Sequence, residues 1–160
     1  MSDDGHYLVS VRLAESLAMP PDPDLAHEIR VAIYDLVEEN LFRPANGVPG
    51  PFDLVLRIED NRLILLVATA DGTDEGRLSL PLVSLRRLIK DYGIVCDSYA
   101  DAVRSMSPSQ IEAIDMGRRG LHNEAGELLR AKLAAHVEVD LATARRLFTL
   151  VYALLRRGVR

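Results

Sequence analysis

The chain has 160 residues, enough for one domain with a sizeable buried core. Its 48% hydrophobic and 27% charged content is ordinary for a soluble globular protein, and the single Cys96 excludes an internal disulfide framework. The net charge of −5 divides into −9 over residues 1–80 (6 Arg, 15 Asp/Glu) and +4 over residues 81–160 (13 Lys/Arg, 9 Asp/Glu), with arginine supplying 17 of the 19 basic residues.

In chain order, Tyr7–Leu13 alternates Tyr7, Val9, Val11 and Leu13 against Leu8, Ser10 and Arg12, which predicts a half-buried strand over 7–13. The opening MSDDGHYLVSV is acidic and lacks a basic-then-apolar leader, so no secretory signal is expected. Pro20–Asp24 breaks the chain, with Asp24 expected as the N-cap of a helix over 25–40 that buries Ile29, Ala32, Ile33, Leu36 and Val37. Arg43–Pro51 is a Pro/Gly loop. Residues 52–80 read as strands that meet in a hairpin at Asp60-Asn61 and turn again at Asp71–Gly76; without a long crossover they should pair antiparallel.

Three helices are predicted over 82–106, 108–134 and 141–157. The first aligns Leu85, Leu88, Ile89, Tyr92, Cys96, Tyr99 and Val103, with Gly93 either bending it or admitting a neighbour. The second opens on Ser107 as N-cap, Pro108 at the first position and Gln110 closing a capping box. His136–Asp140 is a connector or a short strand. The last helix carries an apolar arc of roughly 200°, wider than a surface stripe. It is read either as the central helix of the domain or as a homodimer face through Leu147, Val151 and Leu155. The expected class is α+β: a small antiparallel sheet of three to four strands against about four helices in a single domain. The apolar run Leu147–Leu155 is about half a membrane span, so no membrane association is expected and a cytoplasmic location is.

Candidate chemistry concentrates in the stretch IDMGRRGLHNE, Ile114–Glu124. At roughly 100° per residue, Arg118 falls among Ile111, Ile114, Leu121, Ala125, Leu128 and Leu129, with Asp115 and His122 at the margin of that arc. A guanidinium turned toward a core needs a partner. Arg118 is therefore read in two ways: a structural hub paired with Asp115, Glu38 or Glu39, or part of a cleft with Asp115, Arg119, His122, Asn123 and Glu124 that holds an anionic small molecule or an acidic partner segment. Gly117 and Gly120 would give backbone access, since an interior helix glycine costs about 1 kcal/mol against alanine.

Other readings are weighed beside it. His122 as a general base with Arg118 and Arg119 on a phosphate or carboxylate would make the protein an enzyme. Metal binding is not indicated, because His6, His27, His122 and His136 are scattered and no CxxC or HxxxH occurs. Cys96 on an apolar helix face reads as a packed thiol. No nucleotide cradle or other cofactor motif is present. Nucleic-acid binding through the basic C-terminal half is a further reading, but the basic stretches Arg86–Lys90, Arg145–Arg146 and Arg156–Arg157 lack interleaved aromatics, which disfavours a single-strand stacking platform.

The segments RVAIYDLVEEN, KDY with the following CDSY, QIEAIDMGRRGLHNE and DLATARRLFTL together resemble uncharacterised protein family 0262, bacterial proteins found mainly in alphaproteobacteria. The similarity covers about residues 25–157; Gly93 stands where the family carries a bulky apolar residue. The resemblance implies a bacterial cytoplasmic protein and carries over no reaction, cofactor or catalytic residue.

Overall fold

The computed structural model describes residues 5–14 and 23–158. Its elements are strand β1 (Leu8–Leu13), helix α1 (Pro23–Glu38), β2 (Arg43–Pro44), β3 (Phe52–Glu59), β4 (Arg62–Thr69), β5 (Glu75–Pro81), α2 (Val83–Ser105), α3 (Pro108–Leu133), β6 (Val137–Glu138) and α4 (Leu141–Gly158). The class is α+β, as the sequence implies. Pro20–Asp22 of the expected break lies outside the described residues. Helix α1 begins at Pro23, so Asp24 stands in the first turn, where its charge complements the helix dipole, and does not cap it.

The run 52–80 pairs antiparallel as β3–β4–β5. The hairpin falls on the expected dipeptide: Asp60 (φ 51°) and Asn61 (φ 59°) both take the left-handed backbone that a two-residue turn between twisted strands requires. β1 joins the free side of β3 in parallel, giving a four-stranded order β1-β3-β4-β5. The expected purely antiparallel sheet is corrected at this strand, because α1 lies between β1 and β3 and carries the chain back to the same end of the sheet. A bulge corrects the phase of β1 as well. Leu8 pairs with Phe52 while Ser10 pairs with Asp53, so one extra residue stands in β1. That residue turns Leu8 (0% exposed) inward and leaves Val9 37% exposed, against simple alternation.

Helices α1 and α4 cover β1 and β3 on one face, and the α2–α3 hairpin packs on α4. Asn40, just past α1, ties that helix to the sheet edge: its Oδ1 accepts from Leu8 N at 2.7 Å, and its Nδ2 donates to Leu8 O at 3.0 Å and Leu36 O at 2.6 Å. The capping box of α3 is present, with Ser107 accepting from Gln110 N and Pro108 in the first turn. In α2 the inward positions include Leu85, Tyr92 and Ala102, whereas Val103, expected on that side, is 54% exposed. His136–Asp140 contains β6, which pairs antiparallel with β2.

Helix α4 is central. Leu150, Val151 and Ala153 are 0% exposed, and α1, α3 and β3 all contact the helix. Leu147, Val151 and Leu155, weighed as a dimer face, are 2%, 0% and 9% exposed within the single chain, so they are occupied by its own core. Gly93 admits a neighbour: a Cβ there would lie 3.2 Å from Arg156 Nη1 and 3.5 Å from Tyr152 Oη of α4. No helix among the described residues is long and apolar enough to cross a membrane.

Candidate functional site

The polar stretch of α3 faces a cleft of about 600 Å³ bounded by α1, α3 and α4. On α3, Asp115 anchors a fork of two arginines. Its Oδ1 accepts from Arg118 Nε at 3.0 Å and Nη2 at 2.5 Å, and its Oδ2 lies 3.0 Å from Arg119 Nε. These are one-turn spacings on a helix, so the ion pairs form within the element. The Arg118 hydrogen bonds hold the Asp115 carboxyl below its ordinary range. The Arg118 side chain is 31% exposed and sits 5.2 Å over the Tyr99 ring, so it is half-buried and paired. Its carboxylate partner is Asp115; Glu39 contributes only its backbone carbonyl, to Arg146 Nη1 at 3.2 Å.

His122 lies one turn further on and is enclosed by Tyr92 (ring centroids 5.4 Å apart) and Phe148 (5.8 Å). Both its nitrogens are engaged. Arg145 Nε donates to Nδ1 at 3.4 Å, a long contact; His122 Nε2 meets Thr149 Oγ1 at 2.9 Å; and Thr149 Oγ1 donates to Arg145 O at 3.3 Å. Arginine has no acceptor, so Nδ1 accepts and the ring proton resides on Nε2, donated to Thr149. The three residues thereby close a ring of hydrogen bonds. Burial, followed by the charges of Arg145 and Arg118, lowers the His122 pKa to about 4. Neutral imidazole is the form the site selects at physiological pH.

Gly126 sets the approach of α3 to α4. A Cβ there would fall 2.6 Å from Arg145 Cγ and 3.3 Å from Arg145 Cα, so only glycine lets the Arg145 stem lie against α3. The head of Arg145 enters the cleft beside Arg146, and among the described residues no carboxylate lies within ion-pairing distance of either guanidinium. The facing wall, from α1, presents His27, Glu28 and Asp35.

The fold thus gathers Asp115, Arg118, Arg119 and His122. Asn123 and Glu124 are exposed and line no part of this cleft, and Gly117 and Gly120 are exposed with nothing within 4 Å of an added Cβ, so the two glycines give no access to it. Arg145, Arg146 and Thr149 complete the site. The doublet was visible in sequence as a basic pair; its convergence on His122 required the α3–α4 packing. Burial raises the Cys96 thiol pKa, which fits a packed cysteine.

These features define a one-domain α+β chain with an arginine-walled cleft at the meeting of three helices. The chain belongs to an uncharacterised protein family, UPF0262, whose model matches residues 5–157 and so includes β1. It is 50% identical over 152 residues to a UPF0262 protein of Mesorhizobium japonicum, covering 94% of each chain. A UPF0262 protein of Paramagnetospirillum magneticum is 47% identical over 151 residues, covering 94% of this chain and 96% of its own. One from Rhodopseudomonas palustris is 47% identical over 156 residues, covering 98% and 96% respectively. No solved structure matches the chain.

Proposed function

We propose that this protein is a non-enzymatic, cytoplasmic binding module whose cleft between α1, α3 and α4 takes an anionic small molecule. The observation that carries the reading is Arg145: half-buried, held in place by His122 and Gly126, and without a carboxylate partner among the described residues. A guanidinium removed from water in this way is suited to a bidentate carboxylate or phosphate. Arg118, Arg119 and Arg146 add positive charge on the same side, while Asp35 opposite suits a hydrogen-bond donor on the ligand. The state of His122 supports binding over base catalysis. A ring with both nitrogens engaged and a pKa of about 4 has little capacity to take up a proton near neutrality.

Isothermal titration at low ionic strength with inorganic phosphate and with citrate tests the proposal. One of the two should bind saturably, and Arg145→Ala should weaken it about tenfold or more, as expected for a charge-assisted hydrogen bond, while the fold remains intact. Failure of both anions to bind, with Arg118→Ala and Arg145→Ala altering only the melting temperature, would make the arginines structural hubs.

A further inference from the structure

We infer that the free edge of β5 is a docking site for an extended peptide segment of a partner protein, which adds as a fifth strand and lays an aromatic side chain over Gly76 into the pocket below. The two edges of the sheet differ. On β1, Asn40 closes the edge by bonding both Leu8 N and Leu8 O, at 2.7 and 3.0 Å. Strand β5 pairs with β4 alone. Its ladder is bracketed by Thr69 N donating to Asp74 O at 2.9 Å and by Leu82 N donating to Asn61 O at 3.2 Å. Hydrogen-bonded pairs alternate in an antiparallel ladder, so Gly76, Leu78 and Leu80 bond to β4, while Glu75, Arg77 and Ser79 turn their backbone groups outward. Ser79 O accepts from Arg62 Nη2 at 3.3 Å, and Pro81 has no N–H to offer. The open row is therefore Glu75–Arg77, whose outward N–H and C=O groups meet no partner among the described residues. Such a row is a template for another extended chain.

Gly76 specifies what the segment carries. It stands on the inner face of β5 opposite Val67, and a glycine inside a strand marks close approach by another chain. A Cβ there would meet nothing within 4 Å. On that face lies a pocket of about 300 Å³, with Phe42 and Phe52 (ring centroids 5.7 Å apart) in its lining and the Pro44–Val48 loop as its far wall. An apolar cavity of about 150 Å³ already takes benzene, so a benzyl side chain fits. The residue opposite Gly76 falls in a non-hydrogen-bonded pair, the closer of the two pair types, where an aromatic ring covers the glycine. Asn46 and His136 give the far wall polar groups for a crossing peptide backbone. On the outer face, an antiparallel segment reading acid–aromatic–base sets its acid beside Arg77 and its base beside Glu75. A second copy of this chain fits less well. Two β5 edges centred on Gly76 set glycine against glycine and leave the pocket empty. Centred on Arg77 they oppose like charges, and centred on Leu78 they call on Leu80, already 5% exposed in its own core, to cover Gly76.

The probe is the blocked peptide acetyl-Thr-Glu-Phe-Lys-Thr-amide, titrated into the full chain and followed by amide chemical shifts and hydrogen exchange. It should bind saturably, with shifts at Val67, Gly76 and Leu78. With free peptide at about ten times its Kd, exchange at the Glu75 and Arg77 amides should slow about tenfold, because those N–H groups gain partners only in the complex. Replacing the peptide's phenylalanine by alanine should weaken binding about tenfold or more. N-methylating its glutamate and lysine, the residues that bond to the edge, should abolish binding. Arg77→Pro removes one outward N–H, leaves the ladder to β4 intact and should also abolish binding while the spectrum stays dispersed; the N-methylated peptide asks the same question of the unaltered chain. No saturable binding, unchanged exchange at Glu75 and Arg77, or equal affinity for the alanine or N-methylated peptide would overturn the assignment. So would a dimer in sedimentation that Arg77→Pro converts to monomer, since the edge would then belong to a second copy.

Discussion

Replacing His122→Gln isolates one titration and tests the geometry of the cleft directly. The unfolded chain holds a histidine near pKa 6.5; the fold, by burial and by the charges of Arg145 and Arg118, holds this one at about 4. Because the folded value is the lower, the unfolded state takes up its proton first as pH falls. Stability is therefore full above pH 6.5 and is lost on descent toward pH 4. At 1.36 kcal/mol per pH unit, moving from about pH 7.5 to about pH 5 removes roughly 2 kcal/mol, and water at the half-buried ring reduces this to about 1 kcal/mol. Gln cannot titrate, yet its amide can still donate to Thr149. Urea denaturation of both proteins at the two pH values gives the comparison, since every other titrating group is shared and cancels. The wild type should lose about 1 kcal/mol more than His122→Gln on acidification. Parallel losses would mean that His122 is solvated and that the closed ring of hydrogen bonds does not exist in solution.

Three further outcomes follow from the packing. Gly117→Ala with Gly120→Ala, at open positions of an exposed helix face, should add about 1 kcal/mol each and raise the melting temperature by roughly 4–8 °C; a fall would show that these glycines serve something beyond the helix. Gly126→Ala should destabilise by about 1–2 kcal/mol, because its Cβ meets Arg145 at 2.6 Å near the backbone, whereas Gly93→Ala should be neutral or stabilising, meeting the far end of the Arg156 side chain at 3.2 Å and Tyr152 Oη at an ordinary 3.5 Å; denaturant midpoints that rank them the other way would refute the packing argument. Asn40→Ala removes three hydrogen bonds, two to Leu8 of β1 and one to Leu36 of α1, and should lower stability by about 2–3 kcal/mol, with faster hydrogen exchange at the Leu8 amide as its local signature.

Local signals reached the elements and stopped short of their assembly. Ser107, Pro108 and Gln110 located the start of α3 because a capping box uses only residues within one turn. Asp60-Asn61 located a hairpin for the same reason: the positive φ angles are a property of the turn itself. The parallel placement of β1 was not legible, since direction of pairing depends on where a helix returns the chain, and the bulge at Val9 inverted a phase that alternation alone could not resolve. The site divided along the same line. Asp115, Arg118 and Arg119 interact at one-turn spacing and were readable on a wheel. Asn123 and Glu124 follow His122 in sequence yet leave the cleft, because each further residue rotates about 100° around the helix. Arg145 and Thr149 enter from another helix, and their relation to His122 spans 23 and 27 residues of chain.

The charge split of the sequence acquires a spatial meaning in this fold. The acidic half supplies α1 and the turn at Asp71–Glu75; the basic half supplies α3 and α4. Because α1 packs on α4, Glu28 and Asp35 come to face Arg118, Arg119, Arg145 and Arg146 across one cleft. Simple neutralisation between the halves would have paired those walls directly. Instead, Asp115 binds Arg118 and Arg119 from within α3, and Arg145 is spaced by a neutral imidazole that accepts its Nε–H without cancelling its charge. A histidine kept neutral beside two arginines preserves positive potential where a carboxylate would extinguish it. On the proposed binding role that potential is kept for an anion supplied from outside the chain, and the enclosure of His122 by Tyr92 and Phe148 serves the same end: the rings that desolvate the imidazole also keep it uncharged.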